Sequence, residues 1–293
     1  MSGSTEIAAQ YREAIRKVRP DLGNVPMVLH TRGWDSNAVE ARDTIFKFPK
    51  HAEAPARLRR EAKCLGLIAP RVPLAVPRMK LHETPMLFSE HVMIPGAIIE
   101  TAGYNALGEA QRQAMAEKLA GFYAALHAIP ITEAIAAGAE PKPEWPDATV
   151  VLPLLRDHVP KAVHHYAEQV FAAYLELPNE EEIFGYFDGH GWNMAFDHER
   201  GVLNGVYDFA DAAIGPLTRE FTYSSLTSTD LTERLITAYE RIAGKAVDRR
   251  AVAIRMSVQN FSELADLDGP NAEFIAAVVR WYDYAQSRPE TSI

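Results

Sequence analysis

The sequence predicts an α+β protein of two lobes, a small β-rich lobe followed by a larger, mainly helical one. Three observations lead there. Short apolar runs separated by turn residues fill the first part of the chain, and alanine-rich helical periodicity takes over after Gly96. The charge changes at the same place: residues 1–95 carry 15 Lys and Arg against 10 Asp and Glu, whereas residues 96–293 carry 15 against 29. Strands followed by helices, without regular βαβ alternation, are the mark of an α+β arrangement. The expected divisions are a first lobe over 1–92, opened by an extra helix within 1–22, a hinge over 93–96, and a second lobe over 97–293.

Taken in order, residues 5–18 have helical spacing at Ile7, Ala8, Tyr11 and Ile15, and Pro20-Asp21-Leu22-Gly23 stops them. Strands are expected at 25–30 and 37–41, then at Thr44-Ile45-Phe46-Lys47-Phe48 after a tight turn at Arg42-Asp43. Pro55 suits the first turn of a helix running to about 67. A proline-punctuated stretch leads to strand-like sequence over 86–93, broken by Ile94-Pro95-Gly96. Residues 109–129 form a strong helix, and 141–160, with five prolines, read as an irregular connector. Helix returns at 163–175, short strands at 183–187, 193–196 and 202–207, and the remainder from 231 to 284 is mostly helical.

Composition narrows the function. A chain of 293 residues with 47% hydrophobic and 24% charged residues is ordinary globular protein. No apolar run approaches the roughly 20 residues of a membrane helix. Met1-Ser2-Gly3-Ser4-Thr5-Glu6 has no signal-peptide character, and the lone Cys64 permits no internal disulfide, so a cytoplasmic location is expected. A net charge of −9 argues against a nucleic-acid partner.

The chemistry concentrates in Gly185-Tyr186-Phe187-Asp188-Gly189-His190-Gly191-Trp192-Asn193 and in Tyr207-Asp208-Phe209-Ala210-Asp211. Phosphoryl transfer from a nucleotide needs a carboxylate to orient or deprotonate the attacking hydroxyl. It also needs hard oxygen ligands to hold magnesium on the phosphates. Asp188 and Asn193 have the spacing of a kinase catalytic loop, and Asp208 before a phenylalanine has the place of the second metal ligand. A cation must also reach the phosphates. Strand alternation puts Ile45 and Lys47 on the face opposite Phe46 and Phe48, so that Ile45 would roof the base and Lys47 reach its phosphates. Glu61, on the next helix with Leu58 and Leu65, is the expected partner of Lys47; the competing reading pairs it with Arg57, one turn earlier.

Together these residues make the chain, from about 28 to 220, resemble the aminoglycoside phosphotransferase family of protein-kinase-like small-molecule kinases. The resemblance implies a two-lobed kinase-like fold with its nucleotide site in the first lobe. Gly33-Trp34-Asp35-Ser36 would be the nucleotide loop, with Ser36 at the cofactor. His91-Val92-Met93-Ile94-Pro95-Gly96 resembles the family's hinge segment, where Val92, the last residue of the first lobe, and Ile94 would offer backbone groups to the base. Asp188 would be catalytic, Asn193 and Asp208 would hold Mg2+, and ATP or GTP would be the donor. The acidic second lobe suggests a cationic acceptor such as an aminoglycoside or related amino-alcohol, met by Asp211, Glu263, Asp266 and Asp268.

Departures from the family pattern fall close to the site. Tyr186-Phe187 replace the usual His-Gly or His-Asn, which implies altered loop packing, and Glu220 stands where an aspartate usually braces the loop. They leave open a catalytically silent nucleotide-binding protein. A metal-dependent hydrolase using Asp188, His190 and Asp208 as ligands also stays open.

Overall fold

The computed structural model describes residues 2–31, 33–263 and 272–287. Its first part is a sheet with one greasy side. α1 (Ser2–Val18) and a tight 3₁₀ turn at Pro20–Leu22 lead into β1 (Val28–His30), β2 (Ser36–Ala41) and β3 (Thr44–Pro49). After α2 (Ala54–Ile68) come β4 (Lys80–His82) and β5 (Phe88–Val92). The five strands pair antiparallel in the order β1-β2-β3-β5-β4. Alternation in β3 holds as expected: Phe46 and Phe48 are fully buried, and Ile45 and Lys47 are not.

The apolar face of this sheet is closed by α1. The Tyr11 ring stacks on Phe48 at 4.0 Å, and Asn37 donates from its amide to the Tyr11 hydroxyl at 3.0 Å. On α2, Pro55 occupies the first turn, where its missing N–H costs nothing, and Leu58, Glu61, Cys64, Leu65 and Ile68 share the buried stripe. Burial also pushes the Cys64 thiol up to about 11, as suits an inert core cysteine.

Helices dominate the second part of the chain: α3 (Thr101–Asn105), α4 (Glu109–His127), α5 (Ile131–Ala136), α6 (Ala148–Arg156) and α7 (Lys161–Leu175). Four short strands come next, β6 (Glu182–Gly185), β7 (Met194–Asp197), β8 (Val202–Val206) and β9 (Ala213–Pro216). They are followed by α8 (Leu217–Glu220), α9 (Thr229–Ala243), α10 (Arg249–Ser262) and α11 (Ala272–Gln286). β6 pairs with β9 and β7 with β8, both antiparallel. These two ribbons carry the loop from Tyr186 to Asn193 and the turn at Asp208. No described helix is long and apolar enough to cross a membrane.

The expected irregular connector is partly a helix. Asp147 caps α6 by accepting from the Thr149 and Val150 amides at 2.8 and 3.3 Å. Val151 and Leu155 are buried in a cluster with Val163, Ala167 and Val170 of α7. That burial keeps Pro153 inside a helix it would otherwise break. β4 and β9 were not expected from the sequence either. β9 reads Ala-Ile-Gly-Pro, and what makes it a strand is its pairing with β6. The strand expected over 183–187 ends at Gly185, because Phe187 turns to a positive φ of 52°.

Candidate active site

Lys47 leaves β3 on the side away from Phe46 and Phe48, and Glu61 rises from α2 to meet it. The ammonium donates to both Glu61 oxygens at 2.9 Å and to Asp208 Oδ1 at 3.1 Å. Lys47 is not a solvated strand charge: its side chain is 16% exposed and that of Glu61 3%. Arg57, the alternative partner of Glu61, pairs with Asp35 at 2.9 Å instead. Burial disfavours the ammonium, but the carboxylates of Glu61 and Asp208 outweigh it and hold Lys47 protonated. Glu61 Oε1 also accepts from the Phe209 amide at 3.2 Å, so one carboxylate ties α2, β3 and the turn after β8.

Asp208 takes a positive φ of 64°, a conformation uncommon outside glycine and found where a structure holds a functional residue under strain. Its side chain is 47% exposed in the crevice, and the nearby Lys47 keeps its carboxyl below the ordinary value. Asp188 stands across from it. Asp188 Oδ1 lies 2.9 Å from His190 Nε2, and Oδ2 accepts from Asn193 Nδ2 at 2.6 Å. Burial raises the Asp188 carboxyl, with His190 opposing.

Two buried aromatics precede Asp188 in its loop. Tyr186 and Phe187 are fully buried, and the Tyr186 hydroxyl donates to the Tyr207 carbonyl. Their backbone amides donate to the two oxygens of Glu220 at 2.7 and 3.0 Å. Glu220, itself fully buried, therefore braces the loop despite its extra methylene. Gly189 is required by close approach, since a Cβ there would lie 1.9 Å from the Tyr123 hydroxyl.

A crevice of about 130 Å³ collects Ser36, Lys47, Glu61, Asp188, Asp208 and Asp211, with Trp34 at its edge. Asn193 joins through its bond to Asp188. Ile45, Val92 and Ile94 do not line this crevice; Ile45 sits opposite His91, and Val92 opposite Thr44, where β5 ends. His91, which nothing in the sequence singled out, is pushed down to about 4 by burial beside Lys47, and its Nδ1 is buried without a partner among the described residues.

The profile of the phosphotransferase enzyme family matches residues 28–254. The chain belongs to the phosphotransferase enzyme family. Its fold is shared with solved phosphotransferases at low identity. The GDP and kanamycin complex of APH(2")-IIia is 20% identical with a TM-score of 0.76, over 95% of this chain and 98% of that one. A GDP complex of wild-type aminoglycoside 2'-phosphotransferase-IIIa is 20% identical with a TM-score of 0.75, over 94% and 97%. The macrolide 2'-phosphotransferase MphH from Brachybacterium faecium is 15% identical with a TM-score of 0.62, over 91% and 97%. Comparison of the sequence with curated proteins gives no match.

On this phosphotransferase fold the donor set suits magnesium. Asp208 offers a half-exposed, ionised carboxylate, and Asn193, its amide nitrogen spent on Asp188, has an amide oxygen to offer. Both are hard oxygen donors of the kind that bind magnesium together with substrate phosphates. No group of three or more His, Cys, Asp or Glu among the described residues is placed to hold a metal by itself. His190 Nε2 lies 2.9 Å from Asp188 Oδ1.

The expected acceptor carboxylates are placed unevenly. Asp211 lines the crevice but pairs with Lys142 at 2.6 Å. Glu263 follows α10, next to Ser262, whose hydroxyl reaches the Pro146 carbonyl at 3.4 Å. Asp266 and Asp268 lie outside the described residues.

The Glu220 brace gives a test within the phosphotransferase scaffold. Glu220→Ala strands two buried amides and is expected to cost about 2–5 kcal/mol of stability. Glu220→Asp, the residue usual in the family, should cost less. Denaturant unfolding of both variants measures the difference, and equal stability of parent and alanine variant would remove Glu220 as the brace.

Proposed function

We propose that this phosphotransferase is a small-molecule kinase, moving the terminal phosphoryl group of a nucleoside triphosphate to a hydroxyl of its acceptor. The observation that carries this reading is the meeting of Lys47, Asp188 and Asp208 around one crevice, with Asn193 bonded to Asp188. Lys47 holds the inner phosphates, Ser36 lies against them, and backbone groups of Val92 and Ile94 take the base beneath Ile45. Asp188 orients the acceptor hydroxyl and takes its proton as the new P–O bond forms and the bond to the leaving diphosphate breaks. Asn193 and Asp208 would hold Mg2+, which neutralises charge on the phosphates when bound.

Little covalent chemistry is asked of the protein, so positioning and charge provide most of the rate. Glu61 serves by fixing Lys47. The bracing of the catalytic loop by Glu220 favours an active kinase over a silent nucleotide-binding protein. ATP and GTP both remain candidate donors; GDP and ADP occur in structures of relatives. Overall acidity of residues 96–293 speaks for a cationic acceptor, as do the aminoglycoside complexes of relatives.

The test is nucleotide titration with magnesium, followed by an acceptor panel offered ATP and GTP and read by the mass gained by product. Micromolar binding of one nucleotide and a phosphorylated product are expected. Absence of nucleotide binding would end the kinase reading. Binding with no product from any acceptor class would favour the silent alternative.

A further inference from the structure

Arg219, in α8, is a buried cation without a counter-ion. It is 3% exposed, and no carboxylate among the described residues forms an ion pair with it. One Nη donates to the Pro143 carbonyl at 2.8 Å, and the guanidinium lies 3.9 Å over the Trp145 ring. Its Nε is buried with no hydrogen-bond partner among the described residues. Burying a guanidinium in this way is costly, and stacking on an aromatic face recovers only part of the loss.

The neighbouring cations are all paired. Arg57 meets Asp35, Arg60 meets Glu140, and Lys142 meets Asp211. Glu144, the other carboxylate of this wall, accepts from the Tyr174 hydroxyl at 2.5 Å. Four cations thus face a cleft of about 630 Å³, and Arg219 is the one left over. The cleft shares Arg57, Ala210 and Asp211 with the phosphoryl-transfer crevice, so it adjoins the crevice that Asp188 and Asp208 line.

We propose that the acceptor carries an anionic oxygen group, a carboxylate or a phosphate ester, which docks on Arg219 while its hydroxyl reaches Asp188; this rests on the kinase reading above. A guanidinium is planar and always charged, and its fork of N–H donors matches either anion. The overall acidity of the second part of the chain favours a cation, but the charge a ligand meets is that of its own cleft. Locally, Glu140 and Asp211 are spent on Arg60 and Lys142, and Glu144 accepts from the Tyr174 hydroxyl.

The test offers the intact chain, with magnesium and ATP or GTP, matched acceptors: hydroxy acids against their amides, sugar phosphates against the parent sugars, and kanamycin as the cationic arm. The anionic member of a pair is expected to be phosphorylated with at least about tenfold higher kcat/KM. The carboxylate and phosphate arms show which group is read. Arg219→Gln should raise KM for the anionic acceptor by about thirtyfold with kcat little changed. It should leave the neutral partner's KM and nucleotide affinity alone, and Arg219→Lys should recover part of the loss. If Arg219→Gln does not fold, the lysine variant and the acid–amide comparison on the parent chain decide. Preference for kanamycin or the neutral members, no anionic product, or equal losses on both members of a pair overturns the proposal. Lack of nucleotide binding in the same samples overturns the kinase reading instead.

Discussion

Asp188→Asn is expected to lower turnover by about 10²–10⁴-fold, the range of a lost general base, while nucleotide affinity stays within a few-fold. Asparagine nearly preserves the shape of the side chain but cannot take the acceptor proton. Burial raises the Asp188 carboxyl, so in the parent enzyme turnover should begin to fall on the acid side above the ordinary aspartate value, and the variant should lack this limb. The same shift has a consequence for stability. A carboxyl raised on folding stabilises the native state below its unfolded pKa, and that contribution is lost as pH rises through the folded value. At neutral pH the asparagine variant is therefore expected to be at least as stable as the parent while being far less active. Steady-state kinetics against pH, with thermal unfolding of both proteins, check the pair of outcomes; an unchanged kcat would remove Asp188 from its role.

Asp208→Ala is expected to be more damaging, with turnover reduced by at least about 10³-fold through loss of charge stabilisation on the phosphates. Nucleotide affinity should also lose its dependence on magnesium, which calorimetry with and without the metal would detect. Alanine at a φ of 64° adds backbone strain, so Asp208→Asn is the control that keeps a residue tolerant of that conformation and removes only the charge. Lys47 lowers the Asp208 carboxyl, and this fixes the sign of the stability effect. A depressed carboxyl stabilises the fold above its unfolded pKa, and this is lost as pH falls through the folded value. Both variants should therefore be less stable than the parent at neutral pH, with the gap closing below an unfolded value near 3.8. Undiminished phosphorylation by Asp208→Asn would refute its assignment to the metal.

The residues that meet in the crevice were legible in the sequence because they sit at fixed positions on local elements, whereas Ile45, Val92 and Ile94 fall outside its lining. Alternation alone sends Lys47 away from Phe46 and Phe48, and helical spacing puts Glu61 on the buried stripe of α2. Asp188, Asn193 and Asp208 were found by spacing and order. What escaped depends on tertiary context. α6 forms against its prolines because α7 covers Val151 and Leu155, and β9 is a strand only through β6. The solitary charge of Arg219 emerges only once the partners of Arg57, Arg60 and Lys142 are known. Glu220 looked like a weakening of the loop, whereas its longer reach still satisfies two amides.

Glu61 shares its oxygens between the Lys47 ammonium and the Phe209 amide, so strand, helix and turn are fastened before any ligand arrives. This link is made by folding, so in the proposed kinase the ordering entropy of the phosphate cradle is spent once per molecule and not once per turnover. In the kinase proposed above, a cradle wired in this way is armed without a helix movement, and output tracks the supply of substrates.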